Sequence, residues 1–191
     1  MKKIVFDIET SNDFVAAGSS DPAALDMSCI CIYDYETGAY STFTQENLKE
    51  LWPIFEKADL LIGFNSDHFD IPVLNKYYSG DLTKIKSLDL MKEVKNSLGR
   101  RIKLDTIAEG TLGKNKTGHG MDAIIWWKQG EKQKVMDYCK EDVKITKEIY
   151  EYALKNKSLK YLDGKEIKSI TIDTSQWDTK EDSGMTFTLP F

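Results

Sequence analysis

The order of hydrophobic and polar positions along the chain predicts an α/β domain. Short apolar runs rich in β-branched residues are typical of buried strands, and apolar positions three or four apart are typical of amphipathic helices. These patterns predict strands at residues 3–8, 27–35, 40–43 and 60–64. They predict helices from Thr44 or Gln45 to about 55, from 70 to about 78, and at 90–98, 103–112 and 131–154. The expected architecture is therefore a mixed β-sheet flanked by helices.

Two further segments connect or follow these elements. Residues 11–26 are rich in small and turn-forming residues and are predicted to form a loop. Near the end of the chain, Asp163-Gly164 separates two strand-like runs, which is a strong signal of a β-hairpin. We therefore expect one domain over residues 1–155 and a C-terminal hairpin and tail over residues 156–191.

The composition is that of an ordinary globular protein. The chain has 191 residues, of which 41% are hydrophobic and 30% are charged. No apolar run approaches the roughly 20 residues that a membrane-spanning helix needs, and the run at residues 4–6 is too short for a signal peptide. The three cysteines lack zinc-site spacing, so we expect reduced thiols, a cytoplasmic location and no membrane partner.

Charge is distributed unevenly along the chain. The net charge is -5, yet residues 84–116 carry nine basic and four acidic side chains. Local charge, rather than net charge, decides where a phosphate backbone binds. The segment fits either a solvated helix face or a nucleic-acid contact, and its composition alone favours the solvated face.

Acidic residues at three places in the chain are the candidate metal ligands. Asp7 and Glu9 are two positions apart in the first predicted strand, so their side chains share one face of the sheet. Two like charges side by side destabilise a sheet unless a cation lies between them. The alternative is a strand end at which both carboxylates are solvated.

The other acidic residues lie at a helix start and on a long helix. Asp70 opens the helix that follows the strand at 60–64, where an aspartate can also act as a helix N-cap. Tyr138 and Asp142 are four positions apart on the last helix and therefore lie on one face. Each of these features has a purely structural explanation when it is taken alone, but their order along one scaffold favours a shared metal site.

The motifs FDIET at residues 6–10, NSDHFDIPVL at 65–74 and YCKEDV at 138–143 occur in this order. Together they resemble the three motifs of the DEDD superfamily of 3′→5′ exonucleases, in its tyrosine-containing DEDDy subgroup. The resemblance covers about residues 1–155. It implies a ribonuclease H-like fold with a five-stranded mixed sheet, to which the C-terminal β-hairpin would be an appendage.

The resemblance also implies a mechanism with two divalent cations, Mg²⁺ or a substituting Mn²⁺. It assigns Asp7 as the bridging ligand, and Glu9 with Asp142 as ligands of the cation on the nucleophile side. Asp70 would contact the cation on the leaving-group side, largely through water, and Tyr138 would orient the attacking water. The implied substrate is a single-stranded nucleic acid with a free 3′ end, which is shortened to nucleoside monophosphates. DNA is favoured over RNA, although the sequence does not decide between them.

By the same analogy, several residues are expected to contact the substrate. They are Thr10 at the terminal nucleotide, Asn65, Phe69 and His68 near the scissile phosphate or the terminal sugar, and Arg100, Arg101 and Lys103 along the strand. For His68 a surface histidine without a substrate contact is an equal alternative. The basic residues Lys95, Lys114, Lys116 and His119 were expected to join that path. Asp89 is expected to cap the helix that follows it rather than to bind metal.

Other interpretations remain open on the sequence alone. A ribonuclease H-like module can bind nucleic acid without cleaving it, and a structure-specific endonuclease can use the same scaffold. The chain ends in an acidic stretch followed by Leu-Pro-Phe, which is similar to the tail tip of bacterial single-stranded-DNA-binding proteins. An edge strand or an unstructured end is the favoured interpretation of that tail, and a contact with a replication or repair partner is the alternative.

Overall fold

The computed structural model describes residues 1–114 and 120–179. Within these ranges the strands are β1 (Lys3–Thr10), β2 (Met27–Asp34), β3 (Ala39–Thr44), β4 (Leu60–Gly63), β5 (Ser87–Asp89), β6 (Ser158–Asp163) and β7 (Glu166–Thr171). The helices are α1 (Phe14–Ala17), α2 (Trp52–Glu56), α3 (Asp70–Asn75), α4 (Leu90–Leu98), α5 (Leu104–Leu112), α6 (Gly120–Lys128) and α7 (Lys132–Asn156). The predicted tail contact and the residues Lys116 and His119 lie outside the described residues.

The main sheet has five strands in the order β3-β2-β1-β4-β5, so β1 is central. β1 pairs antiparallel with β2 and parallel with β4, and β4 pairs parallel with β5. The mixed five-stranded sheet predicted from the sequence is thereby confirmed. Because β1 has a paired strand on each side, its backbone is held at both edges, and helices cover its two faces.

Alternation along β1 separates two hydrophobic clusters. Val5 packs with residues of α7, whereas Ile4, Phe6 and Ile8 pack on the opposite face with residues of α2 and α3. Asp7 and Glu9 follow Val5 at a period of two, so they point toward the α7 side. The predicted shared face of the two carboxylates is therefore present.

The predicted start of the first long helix, at Thr44 or Gln45, is wrong. Thr44 still belongs to β3, and its backbone N–H donates to the side-chain oxygen of Asn47 at 2.8 Å. A short 3-10 turn follows, and α2 begins at Trp52, one residue before Pro53, which is tolerated in a first turn because it needs no N–H partner there. A local side-chain bond thus displaced the helix that the apolar spacing predicted.

Other boundaries also differ from the sequence prediction. The helix at Asp70 ends at Asn75, three residues early, where the Asn75 side chain accepts a hydrogen bond from the Leu82 backbone. The predicted loop at 11–26 contains α1, which Asp13 caps, and a 3-10 turn. β5 and α6 were not predicted, because a three-residue strand and a helix with no sharp polar face have little periodic signal.

The C-terminal strands β6 and β7 form the predicted hairpin, and Asp163 pairs with Glu166 across its turn. The hairpin packs on α5, and its residues Leu159, Tyr161 and Ile170 belong to the same hydrophobic cluster as α7. After the hairpin, Trp177 stacks on Tyr150 of α7 with ring centroids 5.6 Å apart. Among the described residues, no helix combines the length and apolarity required to cross a membrane.

Candidate active site

The C-terminal half of β1 and the first half of α7 bring three carboxylates together. Asp7 and Glu9 come from the strand and Asp142 from the helix, and one ligand oxygen of each lies within 4.8 Å of the others. Glu9 and Asp142 are buried, with exposed fractions of 7% and 4%. Like charges packed this closely under burial repel one another, and a cation bound between them removes that cost.

Asp70 joins the site from the other side of β1. Its Oδ1 accepts a hydrogen bond from the backbone N–H of Ile8 at 3.1 Å, although Ile8 lies 62 positions earlier in the chain. Ile8 stands between Asp7 and Glu9, so this bond fixes α3 against the acidic strand. Asp70 is not the N-cap of its helix, since Phe69 occupies that position and makes no side-chain cap bond.

Burial dominates the electrostatics of Asp70. Loss of solvent raises the pKa of Asp70 to about 8; the N–H of Ile8 opposes that rise, and the charges of Asp89 and Asp142 add to it. A cation nearby would act in the opposite direction and favour the charged carboxylate. Asp70 does not belong to the three-carboxylate group, which agrees with a more distant role.

Tyr138 is buried one turn before Asp142 on α7 and lines the same cleft. The ring of Trp126 contacts it edge-on, with centroids 5.9 Å apart and an interplanar angle of 78°. Trp126 thus supports the tyrosine from α6.

Cys139, the next residue of α7, contacts β1 directly. Its Sγ lies 3.2 Å from the main-chain oxygen of Asp7 and 3.8 Å from Asp7 Oδ2. Burial raises the pKa of this thiol, which therefore remains protonated and can donate. Cys29, Cys31 and Cys139 form no disulfide, in agreement with the predicted thiols, and all three are buried.

A cleft of about 420 Å³ opens above the carboxylates. Of the residues expected to contact substrate, Thr10, Asn65 and Phe69 line it. Phe69 meets Phe14 of α1 edge-on at 6.3 Å, which gives the cleft an apolar wall. The cleft is also lined by residues that the sequence did not predict as site residues: Ile8, Asn12, Asp13, Phe14, Leu25, Phe64, Met121 and Ile124. The apolar ones resemble core positions in sequence, and only their placement at the rim distinguishes them.

The remaining predicted contact residues lie elsewhere. His68 and Arg101 line a second cleft, and Arg100 forms an ion pair with Asp163 at 3.9 Å and lies over the ring of Tyr161. Lys103 is exposed at the start of α5. Arg101 thus lines a cleft that Arg100 does not line, and the predicted path through Arg100, Arg101 and Lys103 stays a prediction.

Asp89 holds the turn that presents Asn65. Its Oδ1 accepts the backbone N–H groups of Asn65 at 2.8 Å and Met91 at 3.0 Å, and its Oδ2 accepts that of Asp67 at 3.2 Å. The predicted helix cap is confirmed, and the same carboxylate also fixes the 65–67 turn. Asn65 has a left-handed backbone with φ 66°, which asparagine tolerates better than most residues.

These features define the class of protein. A family model described as the RNase H superfamily matches residues 4–154, and the chain belongs to that superfamily. A comparison with curated proteins finds no match.

A solved structure shows the same fold within a larger chain. The family B DNA polymerase from the hyperthermophilic archaeon Pyrobaculum calidifontis superposes with a TM-score of 0.63 at 19% sequence identity. The match covers 81% of this chain and 24% of the polymerase chain, so this protein corresponds to about a quarter of that relative.

The donor set fits a hard divalent cation. Asp7, Glu9 and Asp142 offer carboxylate oxygens only, which are the ligands that Mg²⁺ and Mn²⁺ prefer. The described part of the chain places no histidine or cysteine in this group, so the donors do not favour zinc.

Proposed function

We propose that the protein is a divalent-metal-dependent 3′→5′ exonuclease that removes nucleoside monophosphates from single-stranded DNA. The observation that carries this proposal is the convergence of Asp7, Glu9 and Asp142 within 4.8 Å at the base of an open cleft. The motif resemblance supports the direction of cleavage. The fold shared with a DNA polymerase favours DNA over RNA.

In this proposal Asp7, Glu9 and Asp142 hold the cations and Asp70 contributes from the side of α3. When bound, divalent cations would supply an activated water and stabilise charge on the leaving oxygen. Tyr138 would hold that water in place, since its buried side chain lines the cleft one turn before Asp142. The edge-on contact with Trp126 supports the ring of Tyr138 from α6.

The cleft walls position the end of the strand. The terminal base would pack against the apolar wall of Phe14 and Phe69 and against Met121, which all line the cleft. Thr10 and Asn65 contact the sugar and the phosphate. Such contacts accelerate the reaction chiefly by holding the scissile bond against the carboxylate site.

A direct test uses single strands labelled at either end and incubated with Mg²⁺ or Mn²⁺. We expect release of mononucleotides from the free 3′ end, no release from a 3′-blocked strand, and no activity in Asp7→Ala despite an intact fold. A matched set of RNA strands decides the sugar preference, because only RNA offers a 2′-hydroxyl contact.

Three results would contradict the proposal in different ways. Cleavage of circular single-stranded DNA would identify an endonuclease. Binding without turnover in a folded, metal-loaded protein would identify a non-catalytic module. Release that Asp7→Ala leaves unchanged would point to a contaminating activity.

A further inference from the structure

A second cleft of about 320 Å³ lies beside the catalytic cleft. The lining side chains are His68, Lys92, Lys95 and Arg101, together with Asn65, Asp67, Asp89 and Met91. Lys92 and Lys95 are three positions apart on α4 and therefore share a face of that helix. Gly99 ends the helix in a left-handed conformation with φ 79°, and Arg101 then returns to line the same cleft.

The second cleft keeps a positive charge after its internal ion pair is subtracted. Lys92 lies 3.4 Å from Asp67, so these two largely cancel. Asp89 is buried, with 6% exposed, and its oxygens accept backbone N–H groups. Lys95 and Arg101 are exposed, and among residues 1–114 and 120–179 neither side chain forms an ion pair. The positively charged side chains of Lys95 and Arg101 therefore face solvent in a protein of net charge -5.

Asn65 lines both clefts, so the two clefts adjoin at this residue. Asp89 fixes that residue by accepting its backbone N–H at 2.8 Å. A strand with its end at the carboxylates therefore has a short route past Asn65 to Lys95 and Arg101. Arg100 points the other way, toward Asp163 of the hairpin.

We propose that the second cleft binds the phosphodiester backbone of the strand upstream of its 3′ end, with Lys95 and Arg101 as the phosphate-contacting side chains. The inference rests on the proposed function for the direction of the strand. The expected ligand is a single-stranded polyanion. Positively charged side chains without an aromatic residue to stack on bases bind phosphate groups and do not distinguish base sequence. Substrate length, rather than sequence, is then what this cleft recognises.

The test measures binding separately from cleavage. Fluorescence anisotropy follows a single strand of about 12 nucleotides, within the site sizes of such grooves, in the Asp142→Asn background so that the strand stays intact. We expect the additional Lys95→Ala and Arg101→Ala changes to weaken binding about tenfold. The slope of log affinity against log salt should fall by about 1.4, since each contact to a single strand contributes about 0.7. A dinucleotide is too short to reach this cleft, so its binding should change far less.

Two controls make the result specific. Lys49→Ala with Lys57→Ala removes the same charge from exposed positions that line neither cleft. Arg100→Gln against Arg101→Gln compares adjacent residues of identical chemistry, of which only Arg101 lines the cleft. We expect the Arg101 change to weaken binding more than the Arg100 change.

The inference is overturned if the double variant binds like its parent, if the charge-matched control loses as much affinity, or if affinity falls with an unchanged salt slope. If the wild type releases nucleotides while the cleft variants bind normally, the proposed function stands and only this inference fails. If the wild type cleaves nothing while the cleft variants bind weakly, the proposed function fails and the proposed binding site stands.

Discussion

The carboxylate of Asp70 accepts the backbone N–H of Ile8 at 3.1 Å, and Ile8 is the residue between Asp7 and Glu9. This single bond connects the start of α3 to the central strand at the position where the acidic pair projects on the opposite face. It holds the second acidic motif in register with the first. It also keeps a buried carboxylate beside other acids, with consequences for stability.

Metal-free stability should fall as pH rises, and Asp70→Asn should flatten that fall. Burial raises the pKa of Asp70 to about 8 from the ordinary value of 3.8. Between these values the folded protein retains a proton that the unfolded chain has released, so the free energy of unfolding decreases with pH by up to about 1.4 kcal/mol per unit. Urea unfolding in a chelator from pH 5 to pH 8 measures the slope. The exposed Asp21→Asn is the control, and an equal slope in wild type and Asp70→Asn would refute the prediction.

Asp142→Asn should raise stability without metal and abolish stabilisation by metal. The change removes one of three charges whose oxygens lie within 4.8 Å, which should add about 1–3 kcal/mol in a chelator. With Mg²⁺ at about 100 times its Kd, wild type should gain about 2.7 kcal/mol, and the variant much less. Thermal unfolding with and without Mg²⁺ measures both effects. Asp137→Asn, an exposed change on the same helix, should behave like wild type.

Cys139→Val should weaken metal binding although Cys139 is not in the carboxylate group. The thiol lies 3.2 Å from the Asp7 main-chain oxygen and 3.8 Å from its Oδ2, so the larger apolar side chain should displace Asp7. Loss of such supporting contacts typically costs about 10-fold in metal affinity. Calorimetric Mn²⁺ titration measures it, with Cys139→Ser as the variant that retains a donor. Ile149→Val, a buried change on the same helix that belongs neither to the carboxylate group nor to the cleft lining, tests whether the effect is specific.

Asp89→Ala should destabilise the protein more than an ordinary cap mutation. It removes the acceptor of the backbone N–H groups of Asn65 and Asp67 as well as those that cap α4. A cap alone is worth about 1 kcal/mol, and each additional buried N–H left unsatisfied adds about 1–3 kcal/mol. Urea unfolding gives the total, and amide hydrogen exchange at Asn65 shows whether the turn opens. Asp81→Ala, which removes an exposed cap of a 3-10 turn, should cost about 1 kcal/mol or less.

Gly110→Ala should destabilise the protein although alanine normally strengthens a helix. A Cβ at this position of α5 would lie 2.5 Å from the Cα and 2.6 Å from the nitrogen of Tyr161 in β6. The clash is with backbone, so the hairpin must shift, at a cost of about 1–3 kcal/mol. At an exposed helical site the same change would instead gain about 1 kcal/mol. The sign of the change in Tm is therefore the measurement, and Glu109→Ala, one residue earlier, should leave Tm nearly unchanged.

The local features of the site were predictable because they depend on periodicity. A period of two assigned Asp7 and Glu9 to one face, and a period near four assigned Tyr138 and Asp142 to one face. The cap by Asp89 and the hairpin at Asp163-Gly164 followed from short-range backbone chemistry. The start of α2 did not, because the bond between Asn47 and Thr44 competed with the helix.

What the sequence determined by itself is which acids share a face and in what order the elements occur, because these depend on neighbours a few residues away. The packing of distant elements decided that Asp142 lies within 4.8 Å of Asp7 and Glu9 and that Asp70 accepts the backbone N–H of Ile8. It also decided that Arg101 lines the second cleft while Arg100 pairs with Asp163. These relationships join residues far apart in the chain, and they arise when burial of apolar faces packs α3 and α7 on opposite sides of β1.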